Sequence, residues 1–270
     1  MKKAFFQILL AGFFCLCCFS SFAFAQLLLE EGKVVRSLKA GETVMGQVKI
    51  NNTSEREISV KAYWQDFNYV SPFDGAKKFL PAGETPHSCA KWVNFMPQSF
   101  TLKPYEKKEV SYTIKFPQDA QGGYYGVLFF EDTVGQKNSA TGLNVVARLG
   151  CLFFLETAGS LRQGAVLKIA ASGNRISGEF QNKSQIILIP RGIFYMINSE
   201  GMIVGRGEID PLYLPPGQGA PFFVNVSEKV ATGAYTAVVT FDLGDGETLV
   251  KEIDFTKKQN SSIEVLKVRD

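Results

Sequence analysis

The 270-residue chain has a single histidine, His87, and only two tryptophans. One histidine cannot anchor a cluster of His, Cys and carboxylates at metal-binding spacing, and no Ser-His-Asp arrangement has local support. His87 stands between Pro86 and Ser88 and reads as a solvated loop residue rather than a general base. A dominant charge is lacking too: taking Lys2 and Lys3 from the 29 basic residues leaves 27 against 26 acidic ones. So balanced a chain has no electrostatic case for binding nucleic acid. Past residue 25 there is neither a sustained helical period nor a second long apolar run. The glycines of "GDGE" follow no phosphate-binding spacing and fit a hairpin turn. Glu131 and Asp132 are adjacent at the end of a strand pattern, so they point to opposite faces and read as solvated charges, not as an acid/base pair. No catalysis and no cofactor or metal is expected.

What is present begins with an export signal. Lys2 and Lys3 precede "AFFQILLAGFFCLCCFSSFAFA", whose small residues Ala23 and Ala25 suit cleavage before Gln26. Residues 1–25 are therefore expected to be a cleaved signal peptide. A retained anchor is the competing reading, since about twenty apolar residues can span a bilayer. A lipoprotein is a third, but Cys15, Cys17 and Cys18 follow Phe, Leu and Cys where lipid attachment wants a small residue. Beyond the signal only Cys89 and Cys151 remain, either bridged, as an oxidising compartment allows, or free. The alternation of "RLGCLFFLE" turns Cys151 to one face with Leu149 and Phe153, which favours free thiols.

Strand patterns fill the rest. "ISVKAYW" puts Ile58, Val60, Ala62 and Trp64 on one face, "VSYTIKF" does so with Val110, Tyr112, Ile114 and Phe116, and "YTAVVTF" with Tyr235, Ala237, Val239 and Phe241. "NNTS", "KPYE", "NSEG" and "PPGQ" supply turn residues between them. In "FPQDAQGGYYGVLFFED", Pro117 ends a strand, Gly122 and Gly123 permit a reversal, and Tyr124 or Tyr125 can turn its hydroxyl back onto the corner as the chain re-enters a sheet. This grammar occurs twice. Asn52, Pro104 and Tyr125 match Asn182, Pro216 and Tyr235, and the first copy carries an insertion within residues 65–92. The expected fold is all-β: two tandem immunoglobulin-like β-sandwich domains, residues 26–158 and 159–256, then a frayed polar tail over 257–270.

"VNFMPQSFTLKPYEKKEVSYTIKFPQDAQGGYYGVLFFE" resembles the first domain of periplasmic pilus-assembly chaperones of the PapD type, through Leu102, Pro104, Pro117, Asp119 and Tyr125. "LNVVARLGCLFFLE" then falls where that family has the strand that lends apolar residues to an incomplete pilin. The resemblance implies an Arg on the first strand and a Lys on the donor strand that together hold a client's terminal carboxylate. Here Gly150 stands at the lysine position, with Arg148 two residues earlier as a substitute and Arg36 as the early-strand cation. The second half is more similar to immunoglobulin-like modules of Gram-positive surface proteins that interact with WxL-domain proteins and peptidoglycan.

Two functions follow. The first is a periplasmic chaperone or assembly factor that binds an extended segment of a pilin-like or secreted protein by strand addition, with Arg36, Val146 and Arg148 as partner-binding residues. The alternative is an envelope or cell-surface module binding protein or peptidoglycan through Phe67, Tyr69, Phe73 and Trp92 of the insertion. An accessory domain with no client of its own is a third reading. In either main case the protein is exported across the inner membrane to the periplasm or envelope.

Overall fold

A computed structural model describes residues 26–137 and 144–270, so the expected signal peptide, residues 1–25, lies outside the described residues. The first sandwich contains β1 (Leu27–Leu29), β2 (Lys33–Leu38), β3 (Thr43–Asn52), β4 (Ile58–Tyr69), β5 (Lys77–Pro81), β6 (Val93–Met96), β7 (Ser99–Leu102), β8 (Lys107–Lys115), β9 (Gly123–Asp132), β10 (Gln136–Lys137), β11 (Asn144–Val145) and β12 (Arg148–Thr157). The second contains β13 (Gly164–Ser172), β14 (Arg175–Asn182), β15 (Arg191–Asn198), β16 (Ile203–Ile209), β17 (Gly219–Asn225), β18 (Gly233–Gly244), β19 (Glu247–Lys257) and β20 (Ile263–Arg269).

In the first sandwich a β1-β3-β8-β6 sheet faces a β2-β12-β9-β4-β5 sheet, with β7 also on β4. In the second, β13-β14-β17 faces β16-β15-β18-β19-β20. The alternations expected from sequence fill these cores: Ile58, Val60, Ala62, Val110, Tyr112, Ile114 and Phe116 in one, Ala237, Val239 and Phe241 in the other. The "GDGE" turn closes the β18–β19 hairpin.

The internal repeat is chemical as well as textual. Asn52 Nδ2 donates to Arg56 O (2.6 Å) and Lys103 O (2.9 Å), and its Oδ1 accepts from Ser54 N (2.9 Å). Asn182 Nδ2 donates to Ile186 O (2.8 Å) and Leu214 O (2.9 Å), and its Oδ1 accepts from Ser184 N (2.8 Å). Each asparagine ties the turn that follows it to the segment before the matched proline. The tyrosine match shifts by one residue. Tyr235 donates to Ala231 O (2.9 Å) on its own corner, and the first-domain tyrosine that reaches back to its corner is Tyr124, whose hydroxyl accepts from Gln121 N (3.3 Å).

Residues 257–270 are not a frayed tail. β20 pairs with β19, Ile263 is buried, and Arg269 binds Glu252 and Asp254. A bulge between Asp254 and Phe255 breaks the ladder, and Leu266 and Val268 stay exposed, so "IEVLKVR" has no clean alternation to read. Lys257, 3% exposed, closes the same end by donating to Ser227 O, Glu228 O and Val230 O at 2.7–3.0 Å. Asp132 is not solvated either. It is buried and ion-paired to Arg56; burial raises its pKa, but the Arg56 hydrogen bond and the Val134 and Gly135 N–H groups outweigh that and hold it below the usual range. Glu131, on the opposite face, accepts from Tyr63 Oη (2.7 Å).

Asn52→Ala leaves three carbonyls and Asn182→Ala two without their donor, and each is expected to cost its own domain about 2–4 kcal/mol, read by urea unfolding. An unchanged midpoint for both would show that these asparagines are not structural pins.

Candidate functional site: an open sheet edge above an interdomain cleft

β12 is the strand from which the site is built. Its odd-numbered residues bond to β9: Asp132 N donates to Ala147 O (3.0 Å), and the register continues through Leu149–Phe130 and Cys151–Leu128. Its even-numbered residues therefore turn their N–H and C=O groups the other way. At Leu152 that side is occupied, because Leu152 N donates to Gly32 O (2.9 Å) and β2 runs parallel to β12 from Lys33–Leu152 to Leu38–Thr157. Above Leu152 it is not. The chain before Gly32 crosses to the other sheet, where β1 pairs with β3, and among the described residues no strand pairs with Arg148–Cys151 on that side. The backbone groups of Arg148 and Gly150 thus face an open edge.

The side chains around this edge divide by face. Leu149, Cys151 and Phe153 turn into the sandwich core, as the alternation required. Val146 is 45% exposed and adjoins the edge just before β12 begins. The Arg148 guanidinium lies 4.4 Å from the Phe129 ring centre and 5.8 Å from that of Phe79. Gly150 is required where it stands: a Cβ there would come within 2.8 Å of Val127 and 2.9 Å of Phe129, so a lysine does not fit. The lower half of the apolar run needs no partner, since Cys151, Phe153, Phe154 and Leu155 are all buried.

Arg36 does not join Arg148. It pairs with Leu155, seven residues down β12, which places it about 23 Å along the strand and on the opposite face. Its guanidinium donates to Tyr112 Oη (3.1 Å) at the edge of the sandwich core. Below the open edge three cations, Lys33, Arg162 and Arg191, and three acids, Glu156, Asp242 and Asp245, line a cavity of about 300 Å³ between the two sandwiches, with Val35 and Phe154. Lys33 Nζ lies 4.2 Å from the Phe154 ring centre. Burial lowers its pKa, the charge of Glu156 opposes this, and Arg191 adds a smaller lowering. Glu156 is instead engaged by Arg162 (2.9 Å), which also reaches Asp245 (3.1 Å). Among the described residues neither Lys33 nor Arg191 has an ion-pair partner. Sequence reasoning passed over both, because only the fold brings residue 33 to residue 191.

The insertion fills the back of the cleft. Phe67 and Tyr69 are 1% and 5% exposed and pack with Tyr125, Phe154 and Ile187 in a core shared by both sandwiches. Phe73 is half-buried beside them, and its carbonyl accepts from Tyr213 N (2.8 Å). Trp92 packs on Phe116 and Tyr124 in the first core. These aromatics do not form a loop-borne binding surface; they are structural. Asp66, fully buried, folds the insertion back by accepting from Gly83 N, Thr85 N and Ser88 Oγ at 2.8–3.1 Å. His87 is likewise tied down, its Nδ1 bonded to Gly123 O (2.8 Å). Tyr125 Oη accepts from Ile187 N (2.6 Å), and Gly123 N donates to Gln185 O (2.9 Å) across the domain boundary. Gly122, at φ 76°, allows that approach, since a Cβ there would come within 2.5 Å of Gln185 O.

No protein-family model matches the chain, and no curated protein matches it. Solved structures do. One is a chain of a chaperone–tip adhesin complex of CFA/I fimbriae, at 12% identity over 84% of this chain and 97% of that one, with a TM-score of 0.52. Another is the class 5 fimbriae chaperone CfaA, at 12% identity over 83% of this chain and 97% of that one, with the same TM-score of 0.52. The chain therefore has the two-domain immunoglobulin-like fold of PapD-like fimbrial chaperones.

Both cysteines are free and buried. Burial raises both thiol pKa values, that of Cys151 to about 12, so at pH 8 roughly one Cys151 in ten thousand is thiolate. Neither is expected to react with a disulfide reagent until the protein is unfolded, and rapid labelling of the native state would contradict this packing. Tyr125→Phe, which leaves Ile187 N–H without its acceptor, is expected to cost about 1–3 kcal/mol and to separate the unfolding of the two sandwiches in calorimetry. A single unshifted transition would show that the contact does not couple them.

Proposed function

We propose that the protein is a non-catalytic periplasmic chaperone or assembly factor that binds an extended segment of a pilin-like or secreted protein by strand addition to β12. The observation that carries this reading is the open edge at Arg148–Cys151, where Arg148 and Gly150 have backbone donors and acceptors and no partner strand among the described residues. An unpaired strand edge is a ready template for another strand unless something covers it, and here the open stretch is short. The likeness in fold to a chain of a chaperone–adhesin complex supports a protein client and a periplasmic setting.

The end of β2 sets the direction. A client strand beside Arg148–Cys151 occupies the line that β2 takes up from Lys33 onward. Running parallel to β12, it ends against Gly32 and Lys33, and its carboxylate meets the unpaired ammonium of Lys33 with Arg191 across the cleft. Lys33 and Arg191 thus take the anchoring role that the sequence placed on Arg36 and Arg148, while Val146 and the Arg148 backbone remain in the strand-binding edge.

The test uses a short synthetic peptide of alternating Val and Thr with a free carboxyl terminus, followed by fluorescence anisotropy. Arg148→Pro removes an N–H that faces the open edge and spares the bonds to β9, so it is expected to abolish binding, whereas Arg148→Ala keeps that N–H and binds nearly as wild type. Lys33→Ala and amidation of the peptide are each expected to weaken binding roughly 10- to 100-fold, the scale of one charge-assisted hydrogen bond, without adding when combined. Undiminished binding to a folded Arg148→Pro protein would end the strand-addition reading.

A further inference from the structure

Gln26, the residue before which cleavage is expected, is fixed in the fold at both its backbone and its side chain. Its carbonyl accepts from Thr53 N (2.9 Å), and Leu27 beside it is 2% exposed and pairs with Asn52 of β3. Arg56 Nε donates to Gln26 Oε1 (2.8 Å), and Arg56 Nη2 donates to the same oxygen. The guanidinium is anchored in turn, because Nη2 also pairs with the carboxylate of Asp132. Asp132 is 1% exposed and accepts from Val134 N and Gly135 N (3.0 Å each). The ends of most domains fray, and this one is tied through Arg56 to a buried carboxylate.

Two donors on one amide oxygen matter because of where charge goes when an amide is attacked. The oxygen takes up negative charge, and donors already fixed on it stabilise that charge without reorganising. An N-terminal glutamine carries its own nucleophile, the α-amine that cleavage before Gln26 releases. Free α-amines have pKa values of about 7.7–8.0, so an unprotonated fraction is present at neutral pH.

We infer that Gln26 is a modification site, at which the exported chain closes its first residue to pyroglutamate with Arg56 as the donor to the reacting carbonyl. The inference is independent of strand addition and rests on cleavage before Gln26. The α-nitrogen bonds to Cδ, and the charge that develops on Oε1 falls on Arg56 Nε and Nη2. The Cδ–Nε2 bond then breaks, and Nε2 leaves as ammonia with the proton that the amine gives up. Neither an oxidant nor a second substrate takes part. Oε1 stays on the lactam, so the product keeps the acceptor that Arg56 holds. The closed ring has no free amine for an aminopeptidase to grip.

The test exposes Gln26 at a defined moment, by removing an amino-terminal fusion with a protease that leaves this residue first. Intact-mass spectrometry then follows the loss of one ammonia, beside a synthetic peptide of residues 26–33. The folded protein is expected to cyclise about tenfold faster than the peptide or more, as fixed donors to a developing oxyanion allow. Arg56→Lys keeps a cation for Asp132 without the two-donor fork and should fall towards the peptide's rate. A folded wild-type rate no greater than the peptide's overturns the inference, whether or not Arg56→Lys folds, and so does a folded Arg56→Lys protein that cyclises as fast as wild type. Protein recovered after export should begin with pyroglutamate. An intact glutamine at its start overturns the inference and leaves the cleavage reading standing, whereas a start at any other residue removes both.

Discussion

A segment of backbone can hydrogen-bond along only one sheet edge at a time, and residues 27–38 are divided between two. Leu27–Leu29 complete the edge of β3, and Lys33–Leu38 complete the lower edge of β12. Gly32 is the point of exchange, its carbonyl accepting from Leu152 N. The cost of the switch is a stretch of β12 above Leu152 that no strand pairs with on that side among the described residues. The architecture around it keeps that stretch in place: β9 pairs with β12 along its whole length, Leu149, Cys151 and Phe153 are locked into the core, and Phe129 covers Gly150. The result is an edge already ordered by the sheet behind it, which under the proposed strand addition lowers the ordering cost of binding.

The second sandwich matters because it is fixed relative to that edge. A shared core of Phe67, Tyr69, Tyr125, Phe154 and Ile187 joins the two, and the Tyr125–Ile187 hydrogen bond gives it a polar register. The insertion that separates the first repeat from the second supplies much of this core. With the cleft set by packing, Lys33 and Arg191 face one cavity, and among the described residues neither is in a direct ion pair. Glu156 and Asp242 share the cavity with them, so the site is not a bare pair of repelling cations; what sets Lys33 apart is that burial strips water from its ammonium.

The sequence was legible where burial alternates. β4, β8 and β18 have clean period-two patterns, and the two asparagine turns carry the same local grammar, so the all-β fold and the tandem repeat followed from residue order alone. β20 was not legible, because a bulge and the exposed Leu266 and Val268 scramble its period. The aromatics of the insertion misled for a different reason: Phe67 and Tyr69 sit among turn residues, and nothing local reports that a second domain covers them. Arg36 and Arg148 were paired through the resemblance to the chaperone family, whereas the parallel register of β2 and β12 separates them and brings Lys33 to the cleft instead. Tyr124 and Tyr125 show how narrow the margin is. One residue of register decides which ring turns back on its corner and which staples the domains.

Residue-resolved amide hydrogen exchange tests the open edge most directly, because neighbouring amides of one strand must then behave differently. In the free protein Leu149 and Cys151, whose N–H groups face β9, should exchange slowly, while Arg148 and Gly150 should exchange fast. When a strand-forming peptide binds, Arg148 and Gly150 should become protected with little change at Leu149 and Cys151. Slow exchange at Arg148 and Gly150 in the free protein, or fast exchange that persists in the complex, would contradict the account.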